Sequence, residues 1–189
     1  MKLSILIPTI SRRKQLFDNL LFSLNEQIET GLNGVEILHD GNDFDSIGEK
    51  RNRLLNMAHG DYVCFVDDDD SVCENYIALL LQGIATNPDC IALKGIITED
   101  GQDPQYFEHS IFYKRYETTN RTYPTGTKYL RYPNHLNCIR SSIAKQFKFP
   151  ETNHGEDTDW ATQIHNSGLL MHEYNTEKVL YFYNYKRNK

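Results

Sequence analysis

Residues Gly60 to Ser71 read Gly-Asp-Tyr-Val-Cys-Phe-Val-Asp-Asp-Asp-Asp-Ser. Four consecutive carboxylates, Asp67 to Asp70, close a short apolar run whose aromatic and β-branched residues predict a buried strand from Tyr62 to Val66. Like charges at the mouth of a buried strand repel one another. A divalent cation held by oxygen ligands and bridging to phosphate oxygens is the usual way to neutralise such a cluster. In open α/β sheets, ligands sit beyond the carboxyl ends of the strands, where these acids would lie. A solvated acidic turn is the plainer alternative, and the strand leading into the cluster favours the metal-and-phosphate site. A second acidic turn, His39-Asp40-Gly41-Asn42, is not an EF-hand: counting from Asp40 or from Asp43, neither register gives glycine at position six together with glutamate at position twelve.

The elements that would hold these groups alternate. Leu3 to Ile7 reads as an apolar strand stopped by Pro8 and Thr9. Ser11 then caps a helix whose apolar positions Phe17, Leu20, Leu21, Leu24 and Ile28 keep helical spacing. Gly31 and Gly34 end it, and Val35 to Leu38 is a second strand, so a βαβ unit with a parallel sheet is predicted. A helix over 46–59 turns Ile47, Leu54, Leu55 and Ala58 inward and Glu49, Lys50 and Arg53 outward. Further helices are predicted over 75–86, 141–147 and from Trp160 onward, and strands over 91–97, 169–174 and 179–185, before a basic tail, Lys186 to Lys189. Between Thr98 and Asn134 the pattern dissolves into a long irregular segment rich in tyrosine, and from Tyr113 to Tyr132 its cations Lys114, Arg115, Arg121, Lys128 and Arg131 face the single acid Glu117. Such a segment is a binding loop or a lid.

At 189 residues the chain suits one packed α/β domain. Its net charge of −6 argues against a general nucleic-acid binder. Cys64, Cys73, Cys90 and Cys138 show no metal-type spacing and read as reduced thiols of a cytoplasmic protein. No apolar run approaches the roughly 20 residues of a membrane span, and the amino terminus lacks a signal-peptide layout.

Three separated stretches then carry a resemblance: Ser4 to Thr9, Gly48 to Asn52 leading into Ala58 to Asp70, and Gly155-Glu156-Asp157. In order and spacing they resemble glycosyltransferase family 2, the inverting nucleotide-sugar transferases of GT-A fold. The segment from His135 to Arg140, followed by Phe147 and Phe149, is similar to the family's stretch before its catalytic acid. The resemblance implies a single GT-A domain with a mostly parallel central sheet flanked by helices, residues 1–97 forming a nucleotide-binding half and 98–189 an acceptor-binding and catalytic half. Asp67 and Asp69 match the family's Asp-x-Asp pair, which holds Mn²⁺ or Mg²⁺ against the donor diphosphate, with Asp68 and Asp70 beside them. Asp40 matches an acid that accepts from uracil, Pro8 and Thr9 match the loop that meets the base, and Arg51 matches a cation near the nucleotide. Asp157 matches the catalytic base and Glu156 its partner, orienting the acceptor or a loop. Nearby acids also have plain roles: Asp40 as a turn cap, and Glu156, Asp157 and Asp159 as favourable charges at a helix start.

Relatives often place a third metal ligand, a histidine, in the last strand; here that neighbourhood is Tyr181-Phe182-Tyr183, leaving His154 or His172 as substitutes. The short stretch after that strand suggests a single-transfer enzyme rather than a polymerase. The expected partners are a UDP-sugar donor and a glycan or lipid-linked acceptor, with a nucleic-acid acceptor also open. Two alternatives stay open: a metal-dependent nucleotidyltransferase, although its usual glycine-rich loop is absent after the first strand, and a catalytically silent nucleotide-sugar binding module.

Overall fold

A computed structural model describes residues 1–186. The elements are β1 (Leu3–Pro8), α1 (Lys14–Glu29), β2 (Val35–Asp40), α2 (Ile47–Met57), β3 (Tyr62–Phe65), β4 (Ser71–Val72), α3 (Tyr76–Ile84), β5 (Cys90–Ile91), β6 (Leu93–Glu99), β7 (Gln102–His109), β8 (Glu117–Thr118), β9 (Thr127–Arg131), β10 (Ile139–Arg140), α4 (Ser141–Ala144), α5 (Glu156–Ser167), β11 (Glu173–Tyr174) and β12 (Val179–Tyr185). A 3₁₀ turn, Ser11–Arg13, precedes α1, so Ser11 starts the turn and supplies no side-chain cap.

The first sheet runs β11-β5-β10-β3-β1-β2, with β1 parallel to both β2 and β3. β1 and β3 are fully buried, and apolar but for Ser4, because helices cover both faces. Successive side chains alternate between two cores. Leu3, Ile5, Ile7, Tyr62, Cys64 and Val66 join α1 and α3 on one side, while Leu6, Val63 and Phe65 join α2 and α5 on the other. On that second side Phe149 stacks on Trp160 at 4.6 Å and packs edge-on to Phe65.

The second sheet, β4-β12-β6-β7-β9-β8, corrects the reading of residues 98–134 as irregular: β7, β8 and β9 run through them. β6 and β7 form a hairpin at Asp100-Gly101, both with positive φ, the turn chemistry of a tight hairpin. Pro104 falls where the β6–β7 register shifts, the position a strand proline can occupy. The polar face of these strands hid their alternation. The first sheet and this one meet at the end of β3, where the acid cluster emerges. The basic tail from 187 onward lies outside the described residues.

Candidate active site

A cleft of about 860 Å³ opens where β1 and β3 end. Pro8, Thr9, Arg51, Asp67, Asp68, Asp69, Glu156 and Asp157 all line it, so eight of the nine residues singled out for a site converge from four separate stretches. The exception is Asp40. Its carboxylate accepts from Arg53 Nε at 2.7 Å and from the Asn42 N–H at 3.1 Å, the turn-cap role, while its carbonyl accepts from the Thr9 N–H at 2.9 Å. It shapes the β1 loop from behind.

Beneath the acids lies Arg51, 2% exposed. Its guanidinium donates to Asp67 Oδ1 at 2.9 Å and to Glu156 Oε1 at 2.5 Å, and it sits 5.8 Å from the Phe65 and Phe149 ring centres. A fork with two faces is suited to bridging two carboxylates. Burial favours the neutral acid at Asp67, yet the charge of Arg51 outweighs it and holds that carboxyl well below the ordinary range. At Glu156 burial prevails over Arg51 and raises the pKa. Glu156 thus ties Arg51 to the first turn of α5, its Oε1 taken by the guanidinium.

Arg13 was not singled out by sequence and proves central. Its guanidinium meets Asp68 at 2.7 Å and Asp69 at 3.4 Å, while Thr9 Oγ1 donates to Asp68 at 2.7 Å. Burial nevertheless leaves Asp68 with a raised pKa. Lys50, read as outward-facing, is instead buried and donates to the Thr9 carbonyl at 2.8 Å. Asp70 turns away from the cleft. It accepts from Tyr181 Oη at 2.8 Å and from the Asn184 N–H at 2.9 Å, and burial, reinforced by the charge of Asp67, raises its pKa well above the usual value. The Asp67 N–H donates to the same Tyr181 oxygen at 3.1 Å.

Asp157 stands in the first turn of α5, after Gly155 with φ 80°, a left-handed conformation glycine adopts without strain. Between Asp67 and Asp157 lies His135, 5% exposed, its Nε2 3.6 Å from Asp67 and its Nδ1 3.6 Å from Asp157. Neither ring nitrogen has a hydrogen bond. His135, which the sequence did not offer as a ligand, is the histidine held between these two acids. His154 lines the cleft, whereas His172 pairs with Asp89 away from it. Asp159 does not line the cleft, although it shares the first turn.

Among the described residues, no three His, Cys, Asp or Glu side chains stand together as a preformed metal site. The donor set still suits a hard cation: hard carboxylate oxygens, more of them than guanidinium groups, at an open cleft. Magnesium characteristically takes one or two carboxylates and completes its shell with water and substrate phosphates.

The family model described as Glycosyl transferase family 2 matches residues 18–149. A glucosyl-dolichyl phosphate glucuronosyltransferase of Haloferax volcanii is 21% identical over 159 residues, covering 77% of this chain and 48% of the relative. Among solved structures, S. aureus TarS 1-349 in complex with UDP-GlcNAc superposes with a TM-score of 0.68 at 19% identity, over 100% of this chain and 60% of that one. The same fragment in complex with UDP gives a TM-score of 0.62 at 19% identity, over 97% and 60% of the two chains. The chain thus spans about half the length of the curated relative and three fifths of these structures. The likeness to the solved structures is one of fold.

Proposed function

This chain belongs to glycosyl transferase family 2, and from that premise we propose that it is an inverting, metal-dependent glycosyltransferase moving one sugar from a UDP-sugar to an acceptor hydroxyl on a glycan or lipid-linked glycan. The observation that carries this reading is the convergence of Asp67, Asp69, Asp157 and the Pro8–Thr9 loop on one cleft. The structures bound to UDP and UDP-GlcNAc support the choice of donor. Residues 1–97 contribute the nucleotide side and 98–189 the acceptor and catalytic side.

In this reading Asp67 and Asp69 would hold Mn²⁺ or Mg²⁺, which as a Lewis acid offsets charge on the leaving diphosphate. Pro8 and Thr9 meet the nucleotide, with the loop fixed by Lys50 and Asp40. Arg13 steadies Asp68 and Asp69. Inversion requires one displacement, so one carboxylate must take the acceptor proton on the face opposite the diphosphate. Asp157 is that base, and Arg51 and Glu156 keep its turn of α5 in place.

The test is nucleotide release from a panel of UDP-, GDP- and dTDP-sugars, with Mn²⁺ or with EDTA. We expect metal-dependent release from one UDP-sugar. Asp157→Asn should lower it by roughly 10²–10⁴-fold, the usual contribution of a general base, with UDP binding retained. Asp69→Asn should weaken metal-dependent binding. Failure of every sugar nucleotide to bind would sink the proposal, and turnover of a nucleoside triphosphate instead would favour a nucleotidyltransferase.

A further inference from the structure

The inner face of the second sheet forms the cleft wall opposite the β1 loop. It presents Ile97, Phe107, His109, Tyr129, Arg131 and Tyr183. Phe107 pairs with Tyr129 and His109 with Arg131 in the parallel β7–β9 register, which puts all four on one face. His109 is 3% exposed, and burial pushes its pKa down to about 3, so it stays neutral. Among the described residues, Arg131 is then the ionised group of this wall.

Its guanidinium is held in an uncommon way. No carboxylate among the described residues pairs with it; its carbon lies 4.4 Å over the Tyr116 ring. Tyr116 contacts Tyr132 at 4.6 Å, and Tyr132 stacks on His165 at 4.2 Å and 8°. Tyr132 Oη and Thr162 Oγ1 share a hydrogen bond of 2.8 Å. His165 and Thr162 belong to α5, the helix that carries Asp157. An aromatic ladder therefore fixes Arg131 relative to the proposed base. Tyr116 covers one face of the guanidinium and leaves its N–H edge open, the edge that binds carboxylate or phosphate through two hydrogen bonds. A partly desolvated cation without a counter-ion costs free energy that an incoming anion would recover.

The donor diphosphate already has a site on the other wall, with Asp67, Asp69 and the β1 loop. Resting on that reading of the cleft, we infer that Arg131, mounted on the Tyr116–Tyr132–His165 ladder, forms a subsite for a second anionic group of the substrate, a carboxylate or phosphate carried by the donor sugar or by the acceptor. It selects a charged substrate over its neutral analogue, in the cleft that Asp157 also lines.

Matched pairs test this by UDP release. UDP-glucuronic acid is compared with UDP-glucose, and a glycoside phosphate ester with the same glycoside unesterified. We expect the wild-type protein to prefer the charged member of one pair. Arg131→Gln should cut that preference by roughly 10–100-fold, the range for a charge-assisted hydrogen-bonded pair. Arg131→Lys, which keeps the charge without the fork, should restore part of it, separating recognition from a folding defect. Preference within the donor pair assigns the anion to the sugar, and within the acceptor pair to the acceptor. Three results would overturn the subsite: no preference in either pair, equal slowing of charged and neutral substrates in Arg131→Gln, or weaker binding of UDP itself. If UDP fails to bind the wild-type protein, the nucleotide-sugar reading falls and takes this one with it.

Discussion

Arg51 joins the two acidic ends of the site. Its two carboxylate partners lie 16 and 105 residues away in sequence. Taking away one partner of a buried ion pair usually costs about 3–5 kcal/mol, because the other charge is left uncompensated. Arg51→Met should therefore lose about that much stability in urea unfolding. Arg51→Lys should recover little of it, since an ammonium cannot span both acids as the planar fork does. A loss below about 1 kcal/mol, typical of an exposed residue, would show that the pair does not hold the site. The resemblance offered Arg51 as a cation near the nucleotide, and the structure puts it beneath the acids. Helical spacing showed which side of α2 meets the sheet. It could not show that the β1 loop takes up Lys50 or that Asp67 and Glu156 enclose Arg51. His135 was hidden for a related reason: no strand period or metal spacing marks it, and its one signal was its place in the segment leading to β10.

The element that sets the position of Asp157, the proposed base, is α2 as much as α5. Ser46 and Glu49 form a capping box at its start. From there the Ile47 N–H donates to Asn153 Oδ1 at 3.0 Å and the Gly48 N–H to the Thr152 carbonyl at 3.2 Å. Asn52 bonds both the N–H and the carbonyl of Phe149 at 2.9 Å. A Cβ at Gly48 would overlap the Pro150 carbonyl, which is backbone and cannot swing aside. Gly48→Ala should push this loop off α2 and cost about 1–3 kcal/mol, as overpacking does. Because the loop leads straight into Gly155 and Asp157, turnover should fall at least about tenfold with UDP affinity little changed, since a misplacement near 1 Å can cost far more. Comparing kcat with UDP binding in this variant checks it, and a matched loss of both would refute it. The helices and the β1–β3 core were legible because their apolar periods are clean. β7 and β9 were not, because they pair in parallel with each other across an intervening loop, and their outer positions are polar.

Across the whole molecule, His109 gives folding a pH dependence. Its pKa is about 3 in the fold, where burial excludes the charged form, and about 6.5 in the unfolded chain. The unfolded state therefore binds a proton first as the pH falls below about 6.5. The stability His109 contributes is complete above that pH and is lost progressively down to about 3, with a slope approaching about 1.4 kcal/mol per pH unit. Urea midpoints measured between pH 7 and 4 should fall more steeply for the wild type than for His109→Gln, and parallel curves would refute the assignment.

The last described strand has a consequence for how the protein is made. β12 lies between β4 and β6, and its Tyr181 and Asn184 supply the hydrogen bonds that receive Asp70 and the Asp67 N–H. During synthesis the four acids leave the ribosome with Arg13 and Arg51 already made, but His135, Glu156, Tyr181 and Asn184 follow much later. Until β12 emerges, Arg13 and Arg51 are available to Asp67, Asp68 and Asp69, but the two groups that receive Asp70 are not. A chain cut before β12 would therefore leave Asp70 without those two hydrogen bonds and β4 without its strand partner.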